Sequence, residues 1–321
     1  MIRRQLAGLT GGKALQTYFS PASRALRKQD AQICTEYDIS PREITALSEA
    51  IGPFNPDLQN TLVIPLLLAA STLSDPQATI ALVSRALQAP RPQQAEMLTR
   101  PGMELTLRHL SALSRAGNPA SMVLLGRILE KEGKGPQALK LFQEATETEW
   151  DKDLGFESGV ASAWLSIGQL KLKLNDRAGG EAALKKGADL NDPNAAFYYT
   201  LTLPPEHKDY HTYTMKAAVS GIVKAQHNLG MFYLQQASAK NNSVFRRMAM
   251  EWFILAATRE FAPSQLSLAL MLKDEGKGSE GLVWVDKAER NQAFAAEAAR
   301  VKARWKGGRV HIGDSGKITI T

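Results

Sequence analysis

The chain has a single cysteine, Cys34. A lone thiol cannot close an internal disulfide, and no Cys/His cluster has zinc-finger spacing. Cys34 therefore reads as a small, half-buried apolar residue rather than a reactive thiol. Long apolar runs are missing too. The most apolar stretch, Leu62 to Ala70, is far shorter than the ~20 residues that span a bilayer, and Pro65 interrupts it. A buried helix accounts for it, and no transmembrane segment is expected. Acid is absent from the start of the chain. Residues 1–29 carry Arg3, Arg4, Lys13, Arg24, Arg27 and Lys28 and no Asp or Glu. Without those six, 33 basic residues face 32 acidic ones, and the formal charge of +7 falls to +1. The basicity belongs to the N-terminus, and the rest makes no case for a phosphate-binding face.

What is present at the N-terminus is basic and rich in Ser, Thr and Ala, with Ile2, Leu6 and Leu9 at helical spacing. That composition fits a mitochondrial presequence over residues 1–30, and it lacks the apolar core of a secretory signal. The segment Gly8 to Ala14 resembles a phosphate loop only in part. Its first glycine is one residue too close to Gly12-Lys13, and Ala14 stands where a magnesium-binding hydroxyl is needed.

Residues 31–116 read as helical without a clear repeat. Ser40-Pro41-Arg42-Glu43 is a capping box with proline at the first helical position. A turn at Gly52 to Pro56 separates that helix from the next, which runs to about Leu73. Asp75-Pro76 caps another, and Ala89-Pro90-Arg91-Pro92 breaks the chain. Met103 to Leu113 then predicts a helix closing at Ala116-Gly117.

From Gly117 the chain repeats. Residues 129–145 match 272–288 at seven of seventeen positions without a gap, an offset of 143 residues. Four units of about 36 residues fill that offset, a period that indicates an α-solenoid. In each unit small residues such as Ala163, Gly168, Ala225 and Gly230 mark a first helix against which a second packs closely. Ala249, Trp252, Phe253 and Ala256-Ala257 form a bulky stripe on a second helix. Trp164, Trp252 and Trp284 are expected in the core. Residues 306–321 form a tail in which Val310-His311-Ile312 and Lys317-Ile318-Thr319-Ile320-Thr321 alternate like strands around a turn at Gly313 to Gly316. Such a tail could add to a partner's sheet edge, though a loose tail is the plainer expectation.

Met215 to Tyr233, with Lys216-Ala217-Ala218, Gly221 and Ala225-Gln226-His227-Asn228-Leu229-Gly230, resembles the join between two Sel-1-like repeats. Met248 to Ala257 resembles the second helix of such a repeat. The resemblance is close over 210–290, looser over 117–209, and stops at 117. Around 190–205 it departs from the pattern, because Leu201 replaces a glycine and Pro204-Pro205 shortens the helix. The resemblance implies an all-α, right-handed α-solenoid of stacked helix-turn-helix repeats, related to tetratricopeptide repeats, over 117–305. It further implies scaffolding, adaptor or assembly roles, since that family shares no catalytic residues.

Other motifs read structurally. Glu206 to His211 holds two histidines four apart, but Lys208 stands where a zincin needs Glu, and no third ligand is near. Glu132-Gly133-Lys134-Gly135 and Glu275-Gly276-Lys277-Gly278 recur at one place in the repeat and read as helix caps. Gly313-Asp314-Ser315-Gly316 is similar to a protease nucleophile loop but has no barrel around it. No enzyme activity, cofactor, metal or small-molecule substrate is expected. Tyr198, Tyr199, Tyr210 and Tyr213 cluster at the irregular repeat and are the candidate partner-binding residues. The expected role is a mitochondrial adaptor or assembly factor that binds protein partners through a repeat groove, in the matrix or on the matrix face of the inner membrane. One cysteine sets it apart from the cysteine-rich Sel-1-like proteins of the intermembrane space. An RNA-linked role on the mitoribosome is the alternative, with direct nucleic-acid binding not expected.

Overall fold

In a computed structural model, the described residues are 32, 34–36, 38–51, 62–148, 159–305, 310–312 and 318–320. Residues 1–30, the expected presequence, and the turn expected at Gly52 to Pro56 lie outside them. The chain divides into two compact units, Met1–Ala183 and Leu184–Thr321.

The described part of the N-terminal unit contains α1 (Pro41–Ile51), α2 (Ile64–Thr72), α3 (Pro76–Gln88), α4 (Arg91–Thr99) and α5 (Met103–Arg115). The local signals work as the sequence predicts. Ser40 N donates to Glu43 Oε2 at 2.7 Å and Glu43 N to Ser40 Oγ at 3.3 Å, closing the capping box. The Ser40 hydroxyl also donates to Glu43 Oε2 at 2.7 Å, and this bond together with that from Ser40 N holds the Glu43 carboxyl below its usual range. Asp75 accepts from Ala78 N at 2.7 Å at the start of α3. One helix escapes the sequence reading. Pro90 and Pro92, read as a break, stand at the N-cap and second position of α4, where a missing N–H costs nothing.

Hydroxyls tie these helices. Ser71 of α2 bonds Thr79 of α3 at 2.8 Å and donates to Thr106 of α5 at 2.9 Å. Thr79 meets His109 at 2.8 Å, and Thr45 of α1 donates to Asp75 at 2.8 Å. The core continues past Gly117. Leu124 and Ile128 of α6 (Pro119–Lys131) join Leu67, Leu82 and Leu110 in one buried cluster. α7 (Gly135–Glu147) packs on α6, and α8 (Val160–Lys173) on both. Arg127 of α6 donates to Ser162 of α8 at 3.0 Å.

α9 (Arg177–Asp189) follows. The C-terminal unit contains α10 (Pro193–Thr200), α11 (Tyr210–Val219), α12 (Val223–Lys240), α13 (Ser243–Thr258), α14 (Ala262–Asp274), α15 (Gly278–Glu289) and α16 (Ala295–Ala303). Sequential helices pack as helix-turn-helix pairs stacked side by side. First helices of the repeats start at Pro119, Val160, Pro193, Val223 and Ala262, so the intervals are 41, 33, 30 and 39 residues. Together they make the 143-residue offset, but no single period generates it. The 30-residue interval belongs to the irregular repeat, where α10 has only eight residues.

Close approach within a pair uses glycine. A Cβ on Gly230 of α12 would stand 2.6 Å from the Phe253 ring of α13, and one on Gly126 of α6 would enter the Phe142 ring of α7. Phe142 and Phe253 take the buried seats. The tryptophan expectation needs correction: Trp164, Trp252 and Trp284 are half-buried, and the Trp284 face carries the Lys287 amine 3.9 Å from its centroid. Among the described tryptophans Trp305 is the buried one, donating to Gly278 O at 3.2 Å.

β1 (Val310–Ile312) and β2 (Ile318–Ile320) pair antiparallel, with Val310 opposite Ile320 and Ile312 opposite Ile318, and β1 lies against α14. Among the described residues no helix is long and apolar enough to cross a membrane.

Candidate functional site

The irregular repeat gathers the four candidate tyrosines around α10 and α11, and it sorts them. Tyr199 is 2% exposed and Tyr213 7%. Their rings meet edge to face, with centroids 5.0 Å apart. Buried phenols need partners. Tyr199 donates to Asp209 at 3.0 Å. Tyr213 donates to Asp189 and accepts from the Lys185 amine at 2.8 Å. Lys185 also lies 5.0 Å from the Tyr213 centroid. The Tyr213 bond, with Asp189 and Asp209 nearby, pushes the Lys185 pKa up. Burial pushes the Tyr213 phenol up, helped by Asp189. As partner-binding residues Tyr199 and Tyr213 are therefore corrected: their surface is spent on holding the short α10 against α11. Tyr210 is half-buried, its ring 6.0 Å from Phe232, and burial raises its phenol as well.

Tyr198 differs. It points away from this cluster and is 37% exposed, and Leu201, one helical turn on, is 56% exposed. The two form an apolar strip on the open side of α10. Leu201 sits at the C-cap of α10, where the chain turns toward Pro204-Pro205. The expectation that Leu201 replaces the repeat glycine needs correction: counted from the left-handed residues Asn191 and Gly221 that precede the two helices, Thr200 holds the Gly230 position and Leu201 that of Met231.

A cleft of about 150 Å³ opens between the start of α10 and the end of α11, walled by Pro193, Ala196 and Val219 with Lys216 and Asn191 at its rim. Small-molecule pockets are typically ~300–1,000 Å³. The Lys216 amine lies 3.4 Å from Ala188 O and from Asn191 Oδ1, so it caps the preceding turn.

The histidines fall apart as a pair. α11 starts at Tyr210, so His207 is in the preceding turn and accepts from Asp209 N at 3.1 Å. His211 faces Tyr233 OH at 2.9 Å. Among the described residues no group of three or more His, Cys, Asp or Glu side chains is placed to hold a metal. His227 was not singled out by its spacing. Its ring lies among Phe253, Phe261 and Ser264, with Nδ1 2.9 Å from the Ser264 hydroxyl. Burial drops its pKa to about 4, so it is neutral at pH 7. The two glycine loops are helix caps: Gly133 and Gly276 have φ of +80° and +79°.

The fold is that of Sel1-like repeats. A protective antigen of uropathogenic Escherichia coli strains that displays an SLR fold superposes with a TM-score of 0.56 at 17% identity, over 94% of this chain and 64% of that one. This chain thus spans under two thirds of the antigen's length. A Sel1 repeat protein from Oxalobacter formigenes gives a TM-score of 0.49 at 18% identity, over 71% of this chain and 91% of that one. YrrB, a TPR protein with an unusual peptide-binding site, gives 0.40 at 14% identity, over 60% and 96%. No protein-family model and no curated protein matches the sequence.

Proposed function

We propose that this chain is a non-enzymatic scaffold that binds a protein partner through the open face of α10. The observation that carries the reading is the apolar strip of Tyr198 and Leu201, exposed beside a repeat in which Phe197, Tyr199 and Tyr213 are buried. Exposed apolar side chains that cluster on one face mark interaction sites, and aromatic anchors contribute most of the affinity at such sites. The polar side chains nearby support the same reading. Lys185, Asp189, Asp209 and Lys216 are engaged in ties between α9, α11 and the turn before α11. The work is surface complementarity rather than bond making.

Crosslinking in cells with a photoreactive residue at position 198, followed by mass spectrometry, tests this. The expected result is a small set of protein partners, reduced at least tenfold by Leu201→Asp. Equal recovery with and without that change overturns the docking face. Location is a separate part of the proposal. The acid-free segment 1–29 supports import into the mitochondrial matrix. Isolated mitochondria should take up the full chain to a protease-protected, shortened form. A chain that stays outside and uncut sinks the location and leaves the scaffold reading intact.

A further inference from the structure

The repeats that begin with α10, α12 and α14 share one register. Gln226 of α12 and Gln265 of α14 are both buried, and each donates at 3.2 Å to the carbonyl eight residues earlier, Ala218 O and Ala257 O. The residue five before each glutamine, Gly221 and Glu260, has positive φ. Asn191 holds the corresponding place before α10, with φ of +64°. Counted forward from Asn191 and Gly221, Asp192 pairs with Ile222 and Ala196 with Gln226. Counted back from Gly221 and Glu260, Lys216 pairs with Leu255 and Ser220 with Arg259.

In the α12–α13 repeat both large members reach backbone carbonyls beside the start of α12. The Gln226 amide takes Ala218 O, and Arg259, just past α13, donates through Nη1 to Gly221 O. The α10–α11 repeat has Ala196 and Ser220 instead, and the cleft of about 150 Å³ is lined by both. Lys216 takes over the acceptor that a glutamine would use: its amine is 3.4 Å from Ala188 O, the counterpart of Ala218 O. No described side chain donates to Asn191 O, the counterpart of Gly221 O. The cleft is built like the seat of Arg259 with the arginine left out.

The charges fit the same occupant. Asp192 stands where the Arg259 seat has Ile222, and Lys216 where it has Leu255. The added acid offsets the added base, so the cleft is no more repulsive to a cation than the seat that already holds one. An anion finds no donor on α10. Pro193 has no N–H, Asn194 N and Ala195 N donate to Asp192 Oδ1 at 2.7 and 2.9 Å, and Ala196 N donates to Asp192 O. Pro193, Ala196 and Val219 wall the cleft, and such apolar walls suit the flat, weakly hydrated guanidinium better than an ammonium.

We propose that this cleft takes an arginine side chain of a protein partner, whose guanidinium donates to Asn191 O as Arg259 donates to Gly221 O. The volume is about half of the ~300 Å³ at which small-molecule pockets begin, and it suits the end of one side chain. The site does not depend on the Tyr198–Leu201 strip, since neither residue lines the cleft.

NMR titration of the isotope-labelled full chain with N-acetyl-arginine methylamide tests the proposal. The amides of Asp192, Ala196, Val219 and Ser220 should shift saturably. The affinity should be at least fivefold higher than for the lysine analogue, and than for the citrulline analogue, which keeps the shape and loses the charge. Ser220→Arg supplies the arginine in cis and should weaken binding at least tenfold. Position 220 is exposed, so the variant should keep the helical circular dichroism of the parent. Arg259→Ser empties the counterpart seat and should add a second set of saturable shifts at Gly221, Ile222 and Thr258. Arginine no tighter than lysine, or binding unchanged within twofold by Ser220→Arg, overturns the proposal. So does free L-arginine binding at least tenfold tighter than the blocked residue, because the amino acid rather than a partner would then be the ligand. If Ser220→Arg lowers the helical signal, Arg259→Ser decides instead, and a missing second set of shifts overturns the proposal.

Discussion

The two units use the same device to bring helices together and different devices to hold them. In the N-terminal unit Gly126 admits the Phe142 ring, and in the C-terminal unit Gly230 admits Phe253. Around that shared joint the N-terminal unit ties α1, α2, α3 and α5 with hydroxyls and one carboxylate: Thr45 to Asp75, and Ser71 to Thr79 and Thr106. The C-terminal unit relies on rings: Tyr199 on Tyr213, His211 among Phe232 and Tyr233, His227 between Phe253 and Phe261. Only the glycine–aromatic joint is dictated by how two helices approach. The surrounding ties are free to vary, because any buried polar group is acceptable once it is bonded, and any ring once it is packed.

The shared joint should be the most sensitive point in either unit. Gly126→Val and Gly230→Val each place branched carbon inside a phenylalanine ring that is wholly buried. Each should cost about 3 kcal/mol or more, at the upper end of overpacking effects. Chemical denaturation of the two variants checks whether the joints are equal. A loss under about 1 kcal/mol in one of them would show that its phenylalanine can move aside, and the symmetry between units would fail.

Acid should separate the units. His227 in the unfolded chain takes a proton near pH 6.5, whereas in the fold its burial delays protonation to about pH 4. Between those values the unfolded chain binds the extra proton, so stability is full above pH 6.5 and falls as pH drops toward 4. The loss is up to about 3 kcal/mol from this one group. Hydrogen exchange should report it in α12–α14. His227→Leu copies Leu266, the residue at the same register of α14, and should flatten that slope. An unchanged slope would move the acid sensitivity elsewhere.

Asp75 is the counterpart in the N-terminal unit. Asp75→Ala removes the N-cap of α3 and the acceptor for Thr45 together, and should cost about 2 kcal/mol. Asp75→Asn keeps a capping oxygen and should recover at least half. If Asn recovers nothing, the charge rather than the hydrogen bonds is what matters there.

The smallest effect is expected at a turn. The joins before α12 and α14 are equivalent, yet the first has Gly221 at φ of +86° and the second Glu260 at +62°. A side chain in the left-handed region costs about 1 kcal/mol. Glu260→Gly should therefore stabilise the protein by up to about 1 kcal/mol, raising the denaturation midpoint without altering its slope. Gly221→Ala should do the reverse.

The sequence by itself determined the class of fold, the helix pairs and most of their ends. Those signals are local. The Ser40 and Asp75 caps act over three residues, Gly133 and Gly276 set one turn each, and a helix face follows from spacings of three and four. α4 escaped because proline reads as a break unless one knows that it stands in a first turn. The 143-residue offset was legible, but its division into 41, 33, 30 and 39 was not, because insertions in loops leave the helix pattern untouched. Only the tertiary structure decided which side chains remain open. Tyr198 and Tyr199 are neighbours of one type in one helix, and Leu201 and Leu270 hold the same register position. Burial depends on what lies across the gap: Tyr213 of α11 packs on Tyr199, and Val285, Val301 and Trp305 close over Leu270, while Leu201 stays 56% exposed. The apolar repeat was written in the chain, and which of its side chains stay open was set by which helices came to lie across from them.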